Sequence, residues 1–423
     1  MEELSDFGLI VLVVSGGVSV ALLARRLSER FPVPAPALFL LAAAIASDVV
    51  TDLSDISIRT VERIGVVALI VILFDGGMHV GWRRFRRAVV PIVSLGVIGT
   101  FATAGVMTLA AHYLVGFDWT TAGILGAALS PTDPAVMFSV FGNKEVGGRT
   151  GTILEGESGV NDPVGIALMI GMLEFATSDD GSLWTVVAEF SLEMVVGLAV
   201  GIVGAAVLVP VMRRVRLPSE LYPLQTIAAA GVIYGVASVA HGSGFLAVFI
   251  AGLAFGDVDA PFKAEIRRFH NSLASLAEIV VFVALGLTID VTDLSGDRVW
   301  LDGLLLALIL AFVARPVALA PLLAPLHLRR GERLFVAWGG LKGAVPILLA
   351  AFALLAGVDD ARQIYEIVFV VVAFSVVVQG ASLGFAARRL RVPMRSVERA
   401  RTNPVPSQHR PPEAGEHHRK GTR

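Results

Sequence analysis

The chain contains no cysteine among its 423 residues, and charged residues make up only 17% of it. Without cysteine there is no disulfide framework, no thiolate metal site and no cysteine nucleophile. Soluble globular domains carry about 25% charged residues. The shortage of charge, together with 55% hydrophobic residues and a mean hydropathy of +0.75, excludes an ordinary soluble protein. The composition is typical of a protein that crosses a membrane several times.

Long apolar runs fill most of the chain. A membrane helix needs about 17–25 predominantly apolar residues, and the sequence contains about thirteen such runs. The predicted spans are 7–24, 32–48, 61–80, 88–111, 119–141, 150–173, 184–212, 219–240, 243–256, 270–288, 301–324, 332–356 and 364–387. We therefore expect an all-α polytopic membrane protein, with residues 1–390 forming the transmembrane domain.

Basic and acidic loops alternate between the predicted spans. Arginines cluster at 83–87, after the third span, and at 213–216, after the seventh, whereas the intervening loops carry Asp52, Asp179 and Asp293. The positive-inside rule places the basic loops in the cytoplasm. We therefore expect a cell (inner) membrane protein with its N-terminus outside and its C-terminus in the cytoplasm.

The last part of the chain differs in composition from the rest. Residues 391–423 are rich in proline and charge and contain few apolar residues. Such a segment cannot bury enough apolar surface to fold by itself. It is predicted to be a disordered cytoplasmic tail.

The stretch LEGESGVNDPVGIA, at residues 154–167, places polar residues inside an otherwise apolar run. A carboxylate at the bilayer midplane costs about 2.5–3.5 kcal/mol, so several polar groups there indicate a function. Ser158 and Asp162 are four residues apart and share one helix face, which offers a hydroxyl and a carboxylate to a hard cation. Glu157 and Asn161 share the adjacent face, where the second carboxylate needs a basic partner. The alternative is a polar cluster that only joins helices.

Two predicted spans contain sequences that break helices. SPTDP, at residues 130–134, places two prolines in the fifth span, and GGLKGAVP, at 339–346, places three glycines and a proline in the twelfth. Proline removes a backbone donor and disfavours helix at the preceding residue. Interrupted spans in both halves of a chain are typical of transporters, whose binding site lies where the broken helices meet. The unwound backbone carbonyl of Thr132 is then a candidate cation ligand.

The charged residues within these breaks have two interpretations. Each break creates helix ends that carry partial charges of about ±0.5. Asp133 is expected near the positive N-terminal ends and Lys342 near the negative C-terminal ends, so both are interpreted first as structural counter-charges. Asp133 is also a candidate transport group within the predicted binding site, because ionisable groups within a membrane are commonly functional.

Two further charged residues lie within predicted spans. Arg315 requires a partner in lipid, and Glu157 is the natural one because a planar guanidinium suits a bidentate carboxylate. Asp75, in LFDGGMHV near the cytoplasmic end of the third span, has two interpretations. It either lines an entry funnel for the cation or caps the span beside His79.

Together these motifs resemble those of the NhaP/NHE-type monovalent cation/proton antiporters, over about residues 7–390. ESGVNDP is similar to the family's Glu-Ser-x-x-Asn-Asp signature, and PTDPA is similar to its unwound crossing segment. VARPVA and GGLKGAVP are similar to its two basic-residue segments, although Lys342 stands where arginine is usual. The FDGG and GAVPI sequences are most similar to those of bacterial potassium/proton members.

The resemblance implies a fold of two inverted six-helix repeats with crossed broken helices. It implies a core domain, which includes residues 119–173 and 301–356, and a dimerisation domain formed by the remaining helices. It also implies a homodimer in membrane lipid and an elevator-like alternating-access motion. We expect a role in pH homeostasis, no cofactor besides the transported ions, and no nucleic-acid partner.

The resemblance also assigns roles at the site. Asp162 is expected to exchange the cation and the proton, Ser158 and Thr132 to be ligands, and Asn161 to support them. An electrogenic class of antiporters carries Asp-Asp where this chain has Asn161 and Asp162. One titrating carboxylate releases one proton for each monovalent cation, so Asn161 favours electroneutral exchange, with electrogenic exchange as the alternative. Na⁺ and K⁺ both suit oxygen ligands, and either is a candidate substrate.

The sequence disfavours two other classes of membrane protein. For an intramembrane hydrolase, GESG lacks the spacing of a G-x-S-x-G elbow, and the chain has no H-E-x-x-H motif. For a channel, the broken and charged spans offer no filter-like loop. We therefore expect a transporter rather than an enzyme.

Overall fold

The computed structural model describes residues 34–49, 56–133, 136–137, 141, 144–178, 182–290 and 298–396, together with residues 16 and 19. Most of the described residues are helical. The helices are α1 Ala35–Val49, α2 Ile58–Val80, α3 Trp82–Arg87, α4 Val89–Val115, α5 Trp119–Ala128, α6 Gly148–Thr177, α7 Leu183–Arg214, α8 Leu221–Val239, α9 Gly244–Gly256, α10 Lys263–Gly286, α11 Val299–Leu323, α12 Arg330–Gly339, α13 Ala344–Ala356 and α14 Ala361–Arg389.

The helices follow the predicted membrane spans closely. A helix lies in every predicted span from 32–48 onward, and nine helical segments of the described residues are long and apolar enough to cross a membrane. The prediction of a helical, polytopic membrane protein is confirmed. The first predicted span, 7–24, lies outside the described residues except for Gly16 and Ser19.

One boundary differs clearly from the prediction. The span predicted to begin at residue 270 begins at Lys263, because α10 continues through a charged turn that includes Arg267 and Arg268. A hydropathy pattern detects only the part of a helix that lies in the hydrocarbon region. The first turns of α10 are too polar for a hydropathy pattern to detect them.

α7 presents an apolar face that the described helices leave uncovered. Trp184, Val195, Ile202 and Val203 are all more than half exposed. In water such a face would favour aggregation, whereas in a bilayer it lies against lipid chains. α7 therefore has the surface of a helix at the lipid-facing perimeter.

α2 and α9 pack closely because glycines lie at their contact. A methyl group on Gly77 would collide with the backbone at Phe249, and a methyl group on Gly252 would collide with the backbone carbonyl of Phe74. Small residues allow membrane helices to approach each other to backbone contact. The glycines of the FDGG sequence therefore have a packing role.

Buried side chains form two clusters. The smaller cluster joins α2 with α7, α8, α9 and α10, and it includes Phe74, Leu208, Tyr222 and Phe255. The larger cluster includes residues of α4, α5, α6 and of α11 to α14, together with residues of α1, α2, α9 and α10. The interrupted helices belong to the larger cluster.

Two short strands connect the start of α6 to the chain that follows α14. β1 (Lys144–Val146) and β2 (Met394–Ser396) pair in an antiparallel ladder that places Glu145 opposite Arg395. The Arg395 guanidinium contacts the Glu145 carboxylate at 2.7 Å. The ends of two helices that are distant in the sequence are therefore held together.

The predicted disordered tail begins too early. Strand β2 lies beyond residue 391, and next to it the Gly147 N–H donates to the carbonyl of Pro393 at 2.7 Å. Composition alone does not reveal this pairing, because its partner lies about 250 residues earlier in the sequence. The rest of the predicted tail, residues 397–423, lies outside the described residues.

Candidate functional site

The polar residues of α6 are buried in the centre of the protein. Glu157, Ser158, Asn161 and Asp162 are each at most 5% exposed. α6 continues through all four residues as one helix. The four-residue spacing therefore places Ser158 and Asp162 on one face, and Glu157 and Asn161 on the adjacent face.

The non-helical segment that follows α5 contacts this part of α6 through Thr132. Asn161 Nδ2 donates to Thr132 Oγ1 at 2.7 Å, and the Thr132 N–H donates to Asn161 Oδ1 at 3.4 Å. The hydroxyl of Thr132 also lies 3.3 Å from the hydroxyl of Ser158. Asn161 thus binds Thr132 through both the nitrogen and the oxygen of its side-chain amide. The hydroxyl oxygens of Thr132 and Ser158 lie next to each other beside α6.

Asp162 retains an unused acceptor in a buried position. Its Oδ1 atom has no hydrogen-bond partner among the described residues. Asp133 and Lys342 lie close enough to act on it electrostatically. A buried carboxylate oxygen without a partner is costly unless it binds a proton or a cation. With the hydroxyls of Ser158 and Thr132 on the same side, the arrangement offers oxygen ligands to a hard cation.

The two interrupted spans meet each other at their breaks. The segment between α5 and residue 134 is not helical, and neither is the segment between α12 and α13. The Asp133 N–H donates to the carbonyl of Leu341 at 2.8 Å. Lys342 Nζ donates to the carbonyls of Ser130 and Pro131 at 2.9 and 2.7 Å. The ammonium of one break therefore satisfies two carbonyls of the unwound segment that follows the C-terminal end of α5.

Asp133 lies beside the N-terminal end of a helix, where the partial charge is positive. A methyl group on Gly343 would collide with the Asp133 carboxylate, and Gly343 immediately precedes α13. The carboxylate therefore lies beside the positive N-terminal end of α13. Glycine at 343 leaves room for this contact, because any side chain there would occupy the position of the carboxylate.

Arg315 joins α6 to the end of α12. Its Nη2 contacts Glu157 Oε1 at 2.9 Å, its Nε donates to the carbonyl of Ala337 at 3.1 Å, and Nη2 also lies 3.4 Å from the carbonyl of Val336. A methyl group on Gly340 would collide with the guanidinium. Arg315 therefore also serves as a counter-charge to the C-terminal end of α12, a role that the sequence did not indicate.

The contact between Glu157 and Arg315 is not bidentate. Only Oε1 of Glu157 contacts the guanidinium, and Oε2 has no hydrogen-bond partner among the described residues. The expectation of a bidentate pair is wrong because the guanidinium also donates to carbonyls of α12. One carboxylate therefore supports an arginine whose other donors stabilise a helix end.

Asp75 lies among polar groups at the end of α2. His79 Nδ1 lies 3.3 Å from Asp75 Oδ2 and 3.0 Å from the carbonyl of the same residue. With its amide nitrogen directed toward Asp75, Asn271 of α10 donates to Oδ1 at 3.0 Å. Asp75 therefore contacts α10 as well as its own helix, and it lies apart from the contacts that join Thr132, Ser158 and Asn161.

A cavity of about 370 Å³ begins one helical turn beyond Asp162. Ile166 of α6 lies at its wall, and three carboxylates line it, from Glu174 of α6 and from Glu189 and Glu193 of α7. These glutamates lie near predicted span ends, where charged residues are ordinary, so the sequence pattern does not distinguish them as site residues.

Comparisons with known proteins agree on one family. The family model described as the transmembrane sodium/hydrogen exchanger matches residues 18–389. A K⁺/H⁺ antiporter NhaP from Alkalimonas amylolytica is 37% identical over 398 residues, which is 92% of this chain and 68% of the relative. A K⁺/H⁺ antiporter NhaP2 from Shewanella sp. (strain ANA-3) is 30% identical over 399 residues, again 92% of this chain and 68% of the relative.

A solved structure shows the same fold. The sodium proton antiporter MjNhaP1 from Methanocaldococcus jannaschii superposes with a TM-score of 0.76 at 24% sequence identity. The match covers 90% of this chain and 100% of that protein. The helices described above are therefore arranged as in a known antiporter fold.

Proposed function

The chain belongs to the sodium/hydrogen exchanger family, and on that premise we propose that it exchanges a monovalent cation, Na⁺ or K⁺, for a proton across the cell membrane. The observation that carries the proposal is the unpartnered oxygen of buried Asp162 beside the hydroxyls of Ser158 and Thr132. A relative of this chain is named a K⁺/H⁺ antiporter, and a protein of similar fold is named a sodium proton antiporter.

In this mechanism Asp162 binds either the proton or the cation. Desolvation disfavours a bare carboxylate, so the group is stable when protonated or when a cation lies against it. Ser158 and Thr132 supply neutral oxygens to the cation, and Asn161 holds Thr132 in position. Because the proton and the cation compete for the Asp162 carboxylate, the site carries one or the other each time it moves across the membrane.

The charges around the site favour electroneutral exchange. Asp162 has an amide, Asn161, as its neighbour in the sequence where an electrogenic antiporter has a second carboxylate. Glu157 and Asp133 are held as structural charges, by Arg315 and by the start of α13 respectively. One proton then leaves for each cation that enters, and electrogenic exchange is the alternative.

Two regions can lead ions to Asp162. The cavity lined by Glu174, Glu189 and Glu193 approaches it from one side, and its carboxylates would attract cations. In this proposal it faces the outside, and Asp75 with His79 lines the approach from the cytoplasm. The path opens to one side at a time, through an elevator-like movement.

We propose in addition that the protein is divided into two domains. We assign α4–α6 and α11–α14, which include residues 119–173 and 301–356, to a core domain that carries the site. The smaller cluster of α2 and α7–α10 belongs to a dimerisation domain. In this proposal the core consists of two inverted repeats, the protein is a homodimer in lipid, and the transported ions are its only small ligands.

Purified protein in proteoliposomes should exchange Na⁺, K⁺ or both for protons, as measured with a pH-sensitive dye. Exchange should be unaffected by an imposed membrane potential, because a potential does work of about 2.3 kcal/mol per 100 mV only on a net charge. Na⁺ is the test ion when valinomycin and K⁺ set the potential. Absence of exchange with either cation would contradict the proposed function, and strong dependence on voltage would contradict the stoichiometry.

The orientation can be tested separately. A fluorescent protein fused to the C-terminus should fluoresce, and alkaline phosphatase fused at the same position should be inactive, because the basic loops place this end in the cytoplasm. Phosphatase fused to the acidic loop at residues 179–181 should be active and serves as the control. An active C-terminal phosphatase would show that the number of spans is even.

A further inference from the structure

Two buried residues of α14 hold the backbone at the break between α12 and α13. Ser375 is 1% exposed and Gln379 is 4% exposed, and they bound the π-helical turn Ser375–Gln379. The Ser375 hydroxyl accepts a hydrogen bond from the backbone N–H of Lys342 at 2.9 Å and donates to Gln379 Oε1 at 2.8 Å. Gln379 therefore orients the hydroxyl that holds Lys342.

A second chain of hydrogen bonds reaches Gln379 from the other side of the break. Trp338 Nε1 donates to the hydroxyl of Ser382 at 3.0 Å, and this hydroxyl donates to the backbone carbonyl of Gln379 at 2.6 Å. Trp338 lies in the last turn of α12, and Lys342 lies in the unwound segment that follows. Gln379 thus links the two sides of the break to one place on α14.

The position of this segment decides where the Lys342 ammonium lies. Nζ is held by the carbonyls of Ser130 and Pro131. The other charged groups that act on it are Asp162 and Glu157 of α6 and Arg315 of α11. Glu157 contacts Arg315, whereas Oδ1 of Asp162 has no partner among the described residues.

An ammonium released from the carbonyls would be drawn toward Asp162. Opposite charges attract strongly in a medium of low dielectric constant, and the free oxygen of Asp162 would accept a hydrogen bond from Lys342. The ammonium would then occupy the carboxylate that the transported cation requires. Holding Lys342 in place thus keeps the site open to its substrate.

We propose that Gln379 is a positioning residue for the exchange reaction, which acts through Ser375 to keep the Lys342 ammonium on the carbonyls of Ser130 and Pro131 and away from Asp162. This inference rests on the proposed function, because it concerns cation binding at Asp162. Two uncharged side chains, four residues apart on α14, would then affect the affinity for the cation.

The test is the dependence of proton exchange on Na⁺ and K⁺ concentration, measured with purified variants in proteoliposomes. Gln379→Met keeps the side-chain volume but removes the acceptor for Ser375, and Ser375→Ala removes both hydrogen bonds. Each impairs the one hydrogen bond that holds the Lys342 backbone, so each should raise the KM for the cation about five- to tenfold, with little change in Vmax. Ser375→Thr retains the hydroxyl and should keep the wild-type KM. Gln225→Met, on α8, is the matched control for the loss of an amide elsewhere.

An unchanged KM in Gln379→Met and Ser375→Ala, or a fall in Vmax alone, would overturn the inference. If neither variant reaches the membrane in a folded state while Ser375→Thr does, the network is purely structural and the inference is equally wrong. Wild-type protein is measured in the same series. If it exchanges neither cation, the proposed function fails, so that failure is distinguishable from failure of the inference.

Discussion

Replacing Asp162 with asparagine should abolish cation-dependent proton exchange and leave the protein folded in the membrane. Asparagine keeps the shape of the side chain but can neither release a proton at this position nor balance the charge of a cation. Oδ1 has no hydrogen-bond partner among the described residues, so no described contact of that oxygen is lost. Exchange is measured with a pH-sensitive dye in proteoliposomes, and folding by the melting temperature in detergent.

Asp118→Asn is the matched control for this substitution. Asp118 caps the start of α5 by accepting from the N–H groups of Thr120 and Thr121, and asparagine is an equally good cap. The control should exchange ions normally. Cation-dependent proton flux in Asp162→Asn would show that the carboxylate is not the carrier, and Glu157 or Asp133 would then be the first alternatives.

Two further measurements test competition at Asp162. Asp162→Glu keeps the charge but moves it by about one methylene, so exchange should fall and the preference between Na⁺ and K⁺ should change. In wild-type protein, a higher proton concentration should raise the apparent KM for the cation, because both bind the same carboxylate. A KM that is independent of pH would mean that the proton and the cation bind at different places.

Removing either member of the Glu157–Arg315 pair should destabilise the protein strongly. Breaking a buried ion pair leaves a charge without compensation and costs about 3–5 kcal/mol, whereas removing both partners can be nearly neutral. Glu157→Ala and Arg315→Ala should each lower the melting temperature in detergent. The double variant should be more stable than the sum of the two losses predicts.

The two single substitutions should differ in how much they destabilise the protein. Arg315→Ala also removes the donor to the carbonyls of Ala337 and Val336, so it should cost more than Glu157→Ala. The exposed pair of Glu265 and Arg268, 3.3 Å apart on α10, is the matched control, because exposed pairs contribute only about 0–1 kcal/mol. Additive losses for the buried pair would show that it does not act as a pair.

Much of the fold could be predicted from the sequence because a bilayer imposes simple rules. A span of fixed length must be apolar, and its backbone must bond within itself. The breaks were predictable for the same reason, because the prolines of SPTDP and the glycines around Lys342 oppose a continuous helix. The spacing of Ser158 and Asp162 placed both residues on one helix face.

Contacts between distant parts of the chain were less predictable. The sequence suggested that Arg315 needs a carboxylate, but it did not show that the guanidinium would also bind the end of α12. Ser375 and Gln379 lie four residues apart in the apolar run AFSVVVQG, and this signal is the same one that identified Ser158 and Asp162. The signal is weaker for Ser375 and Gln379 because neither residue carries a charge.

The short sheet of β1 and β2 determines where the chain can be shortened. Pairing of Lys144–Val146 with Met394–Ser396 makes the second strand part of the support for α6, the helix that carries Asp162. A deletion that begins at residue 391 would remove this support together with the tail. Truncation for crystallisation or for reporter fusions is therefore best placed after residue 396, where the pairing of the two strands is complete.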